Sequence, residues 1–103
     1  MKQFNIYLSP RAKIRLENIL DYLINKWSVK TKDNFLSKLD RTISLIQTSP
    51  KLFPKSNFEN IRKAVVTKQI TLFYRINKDT IEIITFFDTR QNPSKLESEL
   101  KAK

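Results

Sequence analysis

The stretch from Ile61 to Asp88, IRKAVVTKQITLFYRINKDTIEIITFFD, constrains the fold more than any other part of the chain. It reads as three consecutive strands rich in β-branched and aromatic residues. The polar breaks Thr67-Lys68-Gln69 and Asn77-Lys78-Asp79-Thr80 serve as two tight connections. Ile70, Leu72, Tyr74 and Ile76 share one parity. Ile81, Ile83, Thr85 and Phe87 share one parity of the next run, and Phe73, Ile84 and Phe86 fall on the opposite parity. Strands apolar on both faces belong inside a sheet that is covered twice, or covered once and used for binding on the other side. The meander is therefore expected to be the scaffold, with the preceding helices on one face.

At 103 residues the chain is read as a single domain, 1–103, large enough for one core. It contains no His, no Cys and no Gly. Disulfides, the usual zinc sites and Ser-His or Cys-His nucleophile pairs are thereby excluded. So are a P-loop and a dinucleotide fingerprint. No cofactor and no metal are expected, and any catalysis has to rest on Lys, Arg, Tyr, Asp or Glu. No run reaches the length of a membrane span, and Met1-Lys2-Gln3-Phe4 lacks the apolar core of a signal peptide, so a cytoplasmic protein without a membrane partner is expected. The net charge of +10 favours a polyanionic partner over mere solubility, because it exceeds the roughly 2–8 charges that solubility asks of a small domain.

Gln3 to Leu8 alternates, with Phe4, Ile6 and Leu8 on one side, and reads as a first strand. Ser9-Pro10 supplies an N-cap followed by a proline at the first helical position. A first helix runs from about Pro10 to Trp27 on the stripe Ala12, Leu16, Ile19, Leu20, Leu23 and Trp27, with Trp27 read as a core plug. After a short link, Ser28 to Thr31, a second helix runs to Thr48 on Phe35, Leu36, Leu39, Ile43 and Ile46, giving an antiparallel hairpin. Ser49-Pro50 stops it. Leu52 and Phe53 are expected to tuck under the following loop. Asn92-Pro93 marks a turn after the last strand, and Ser94 to Leu100 fits a short helix. The expectation is an α+β fold of order β-α-α-β-β-β: an antiparallel-dominated twisted sheet with a helical hairpin on one face.

Basic residues gather on and around the meander: Lys55, Arg62, Lys63, Lys68, Arg75 and Arg90. If the helices cover one face, the other is a shallow surface rimmed by these cations. Phe73, Tyr74, Phe86 and Phe87 lie among them, and cations beside aromatics suit phosphates and stacked bases. Phe73 and Phe87 are better read as core. For Arg62 and Arg75, partner contact and a solvated or Glu82-paired strand residue remain equal readings.

Leu8-Ser9-Pro10 opening a helix, Ser49-Pro50 closing a hairpin, the strand Leu72-Phe73-Tyr74-Arg75-Ile76 and the segment Thr89-Arg90-Gln91-Asn92-Pro93-Ser94-Lys95-Leu96 together resemble the RelE/ParE superfamily of toxins from bacterial type II toxin–antitoxin systems. The resemblance spans nearly the whole chain. It implies a cytoplasmic growth inhibitor held inactive by a cognate antitoxin with an acidic wrapping segment, and promoter DNA bound only through that antitoxin. RelE-like members cut mRNA on the ribosome with basic residues that hold the phosphate. ParE-like members poison DNA gyrase and do not cut RNA. By strand position, Arg62 and Ala64 fall where RelE-type enzymes carry active-site lysines, and Thr71 falls where they carry an arginine; Arg90 matches a basic position after the last strand. Two of four cations are thus kept, and there is no His. Losing one such group is expected to cost about 10²–10³ in rate, by analogy with an oxyanion-hole donor. Lys63, Lys68 and Tyr74 are the available substitutes. The resemblance thus favours gyrase inhibition, with Arg62, Lys68, Arg75, Arg90 and Asn92 as target contacts. The alternatives are a ribosome-dependent mRNA interferase using Arg62, Lys63, Lys68 and Arg90, and a non-toxic antitoxin-binding relative.

Overall fold

The computed structural model describes residues 3–89 and Leu100. The element order is β1 (Asn5–Leu8), α1 (Pro10–Lys26), α2 (Val29–Thr48), β2 (Arg62–Val65), β3 (Ile70–Asn77) and β4 (Thr80–Asp88). The strands form one sheet in the order β1-β4-β3-β2, with β1 parallel to β4 and the other two pairings antiparallel. The architecture is therefore α+β, as expected. The helical hairpin followed by β2 and β3 makes the long connection that a parallel β1–β4 pairing requires.

Local chemistry starts each helix. The Ser9 hydroxyl accepts from the Ala12 N–H at 3.0 Å, and Pro10 occupies the first helical position. Ser28 caps α2 in the same way, accepting from the Thr31 N–H at 3.1 Å. That cap starts α2 at Val29, so only Trp27 and Ser28 separate the helices, and the expected start at Thr31 is corrected. β1 is shorter than its alternation suggested because Phe4 is paired elsewhere. Its N–H donates to the Gln47 carbonyl at 3.2 Å, and Gln47 Nε2 donates back to the Phe4 carbonyl at 3.0 Å.

Between the helices and the sheet lies the main core. Phe35, Leu39 and Ile46 of α2 and Ala12 of α1 pack with Leu72, Tyr74, Ile81, Ile83 and Phe86 of the sheet. Trp27 is not part of it: it stands 67% exposed at the hairpin tip. Its position ends the helix, where the backbone turns away and the helical spacing no longer points inward. Leu52 is likewise 70% exposed, whereas Phe53 packs edge-on against Tyr74 with ring centroids 6.3 Å apart.

A bulge redistributes the side chains of β4. Phe73 lies opposite Thr85 and Tyr74 opposite Ile83, so Ile84 is an extra residue on β4. Beyond it the alternation is reversed. Phe86, not Phe87, joins Ile81 and Ile83 on the helix side, and Phe87 packs on the second face. The expected grouping of Ile81, Ile83, Thr85 and Phe87 holds only up to the bulge.

The second face is not open. Ile61, Phe73, Ile84 and Leu100 form a buried cluster there, with Phe58 and Phe87 packed against it. The loop before β2 and a residue far down the chain cover the middle of the sheet. The shallow cation-rimmed surface expected from the sequence is corrected on this point: its centre is apolar and closed by the chain itself.

Candidate functional site

The chain has no glycine, and among the described residues Asn60 (φ 64) and Lys78 (φ 58) take left-handed backbone angles. Both lie in turns, and asparagine is one of the few residues that tolerates the region. The Asn60 turn belongs to a small hairpin. Lys55 bridges Arg62 in antiparallel fashion, and the Ser56 N–H donates to the Ile61 carbonyl at 2.8 Å. The Ser56 hydroxyl donates to the same carbonyl at 2.7 Å and accepts from the Phe58 N–H at 3.0 Å, which stiffens the turn.

This hairpin bends away from β3 and leaves a notch of about 830 Å³ against the last residues of that strand. Lys55, Arg62 and Arg75 border the notch, with Glu59 and Asn77 on its rim. Arg75 Nε donates to Glu82 Oε1 across β3–β4 at 2.7 Å. Arg62 points the other way. Its Nη1 donates to the Phe53 carbonyl at 2.7 Å and to the Lys51 carbonyl at 3.4 Å, tying the loop after α2 to β2. Neighbouring Tyr74 is fully buried and its hydroxyl donates to the Pro50 carbonyl at 2.6 Å. Burial pushes its pKa up to about 12, against a smaller downward pull from Arg62. It stays protonated at neutral pH and is sealed from any substrate, so it cannot substitute for a missing catalytic group.

The candidate cations divide into separate places. Arg62 and Arg75 both line the notch but lie on opposite faces of the sheet. Lys63 pairs with Phe73 and so lies on the second face, as strand alternation demands. Lys68 is exposed in the turn between β2 and β3, beyond the opposite end of β2, and about 13 Å of strand separate Arg62 from Val66 alone. Ala64 is 1% exposed in the helix-side core, and Thr71 is half-buried. Arg90 and Asn92 lie outside the described residues, as does most of the Ser94–Leu100 segment. Lys55 is legible in the sequence as one of the basic residues near the meander, but Ser56, Asn57 and Asn60 carry no sequence pattern that marks a site. The isolated polar turn Ser56-Asn57 was the only signal.

A second groove of about 890 Å³ runs between α1, α2 and the far end of the sheet. Tyr22, Leu23, Trp27 and Phe35 form its apolar part and Arg15 and Lys38 its cationic part. The exposed indole of Trp27 is thus the lip of a groove. Among the described residues no group of acidic side chains is arranged to hold a metal, and no helix is long and apolar enough to cross a membrane.

Residues 6–93 match the model of a family described as the ParE toxin of type II toxin–antitoxin system, parDE. No curated protein sequence matches the chain. Among solved structures it is similar to the chromosomal ParDE toxin–antitoxin system from P. aeruginosa, with a TM-score of 0.71 at 11% identity, covering 84% of this chain and 96% of that one. A mutant of the E. coli toxin RelE in the free state has a TM-score of 0.62 at 13% identity, with 94% and 93% covered. The E. coli DinJ–YafQ complex gives 0.59 at 14% identity, with 85% and 96% covered.

Proposed function

Because the chain belongs to the ParE toxin family of type II toxin–antitoxin systems, we propose that it arrests growth by binding DNA gyrase in the cytoplasm, and that a cognate antitoxin holds it inactive. The family match over residues 6–93 carries this reading. Arg62, Lys68 and Arg75, with Arg90 and Asn92, are the proposed target contacts. The placement of side chains supports binding over RNA cleavage. Cleavage by 2′-hydroxyl attack needs an acid, a base and clustered cations around the phosphate. Here Ala64 is core, Arg62 is bonded to loop carbonyls, Tyr74 is sealed, and Lys63 and Lys68 are apart. The groove beside Trp27 supports an amphipathic antitoxin segment, since its apolar floor suits the apolar face of a helix and Lys38 suits an acidic side chain on it, with Asp88 also in the lining. Promoter DNA is then reached through the antitoxin.

Purified gyrase tests the target. Folded chain is expected to block supercoiling, and gyrase that works normally in a large molar excess of the chain defeats the proposal. The similarity in fold to RelE favours one other reading, an mRNA interferase using Arg62, Lys63, Lys68 and Arg90. Primer extension on messages from arrested cells separates the two, because only the interferase leaves cut transcripts. Harmless overexpression without antitoxin would instead mark a non-toxic antitoxin-binding relative.

A further inference from the structure

The excess positive charge is not spread evenly. Between Ser49 and Gln69 the chain carries Lys51, Lys55, Arg62, Lys63 and Lys68 against one carboxylate, Glu59. Other carboxylates stand elsewhere: Glu17 and Asp21 on α1, Asp33 and Asp40 on α2, Asp79 and Glu82 around the start of β4. The fold lays the basic segment along one border of the sheet. β2 is an edge strand, and the Lys63 N–H donates outward to the Pro54 carbonyl at 3.1 Å. Lys55 stands opposite Arg62, so the two share a face. The Arg62 guanidinium bonds the Lys51 and Phe53 carbonyls, which brings Lys51 to the same corner. Lys63 is exposed on the other face of the strand. Lys68 is exposed in the turn at its far end, where Asp88 stands opposite Ile70.

We propose that this basic border binds the phosphate backbone of duplex DNA, the DNA on which gyrase works, so that the chain grips the gyrase–DNA complex rather than gyrase alone. The proposal rests on the toxin reading above and supplies the nucleic-acid part of its target. The roughly 13 Å of strand from Arg62 to Val66 matches about four phosphates of one DNA strand, at about 3.4 Å of helix axis each. Lysines on a strand edge reach phosphates but put no helix into a groove. Binding therefore carries no sequence preference, and promoter recognition stays with the antitoxin. A single strand fits this border less well, because it asks for exposed rings to stack on. The rings of the segment are engaged elsewhere: Phe53 packs edge-on against Tyr74, and Phe58 packs on the second-face cluster.

The test is fluorescence anisotropy of a short labelled duplex of arbitrary sequence with the whole chain, over a salt series. With about four phosphates neutralised, log K should fall with log salt at a slope of roughly −3 to −4. The pair Lys51→Ala, Lys55→Ala should lower that slope by about two and the affinity roughly 50–100-fold at about 0.1 M salt. The pair Lys26→Ala, Lys30→Ala removes equal charge from the helical hairpin and should bind like the parent. All four lysines are exposed, and amide spectra should show both variants folded. The border variant should be captured by DNA-free gyrase as the parent is, yet need more chain to block supercoiling. Four results overturn the proposal: equal weakening by the two pairs, tighter binding of a single-stranded RNA of the same length, no duplex binding by folded chain at low salt, or weaker capture of the border variant on DNA-free gyrase. Gyrase that ignores the parent chain defeats the toxin target instead, and the anisotropy series still decides the border.

Discussion

The hydroxyl of Ser9 donates a 2.7 Å hydrogen bond to the main-chain carbonyl of Ile84 while accepting from the Ala12 N–H. Ile84 is the extra residue of the bulge, whose carbonyl leaves the regular ladder. One oxygen therefore caps α1 and satisfies the bulge across 75 residues of sequence. The Ser9 N–H also donates to the Ile83 carbonyl at 3.0 Å.

Replacing Ser9 by Ala removes both bonds. Loss of an N-cap costs about 1 kcal/mol, and a buried carbonyl left without a partner adds roughly 1–3 kcal/mol. Urea unfolding should show Ser9→Ala destabilised by about 2–4 kcal/mol on these two effects. Ser9→Thr should retain most of the stability. Equal loss in both variants would show that the hydroxyl is not the cause.

Arg62 is placed to hold a loop as well as to meet a target. If holding the loop is its main task, Arg62→Lys should lower stability by about 1 kcal/mol, since the shorter ammonium side chain falls short of the two carbonyls that Arg62 Nη1 meets. Amide exchange near Lys51 and Phe53 should quicken in parallel. If Arg62 instead serves the target alone, gyrase inhibition should fall with the unfolding midpoint unchanged.

Tyr74 makes stability depend on alkaline pH. Its pKa is raised from 10.0 to about 12 in the fold. Between those values the folded chain keeps a proton that the unfolded chain has lost, so stability is intact below pH 10 and declines as pH rises through about 12. The decline attributable to this group is of the order of 2–3 kcal/mol. Tyr74→Phe should begin lower at neutral pH, having lost the bond to Pro50, but should lack this alkaline slope. Identical slopes in the two proteins would contradict the assignment.

Trp27 is the sole tryptophan, so its fluorescence reports one place. Its exposure implies red-shifted emission and ready quenching by acrylamide. Trp27→Ala should cost less than about 0.5 kcal/mol, as at a surface position, whereas a core plug would cost about 3–5 kcal/mol. Antitoxin docked in the neighbouring groove should protect the indole from the quencher.

The amino-acid sequence alone determined the strands, the helical hairpin and the cap of its first helix, because each depends on residues within one turn or one alternation: Ser9-Pro10 and the stripe through Phe35, Leu39 and Ile46; the cap at Ser28 emerged only in the structure. It also reached the Arg75–Glu82 pairing as one of two readings. Only the tertiary structure decided which side of the sheet Phe86 and Phe87 occupy, because a single inserted residue at Ile84 reverses a period of two and leaves no local mark. Only it decided that Leu100 closes the second face, that Arg62 bonds the loop carbonyls, and that a notch lies between the Lys55–Arg62 hairpin and the end of β3. Those outcomes depend on which distant groups lack partners once the sheet is assembled, and that balance exists only in the folded chain.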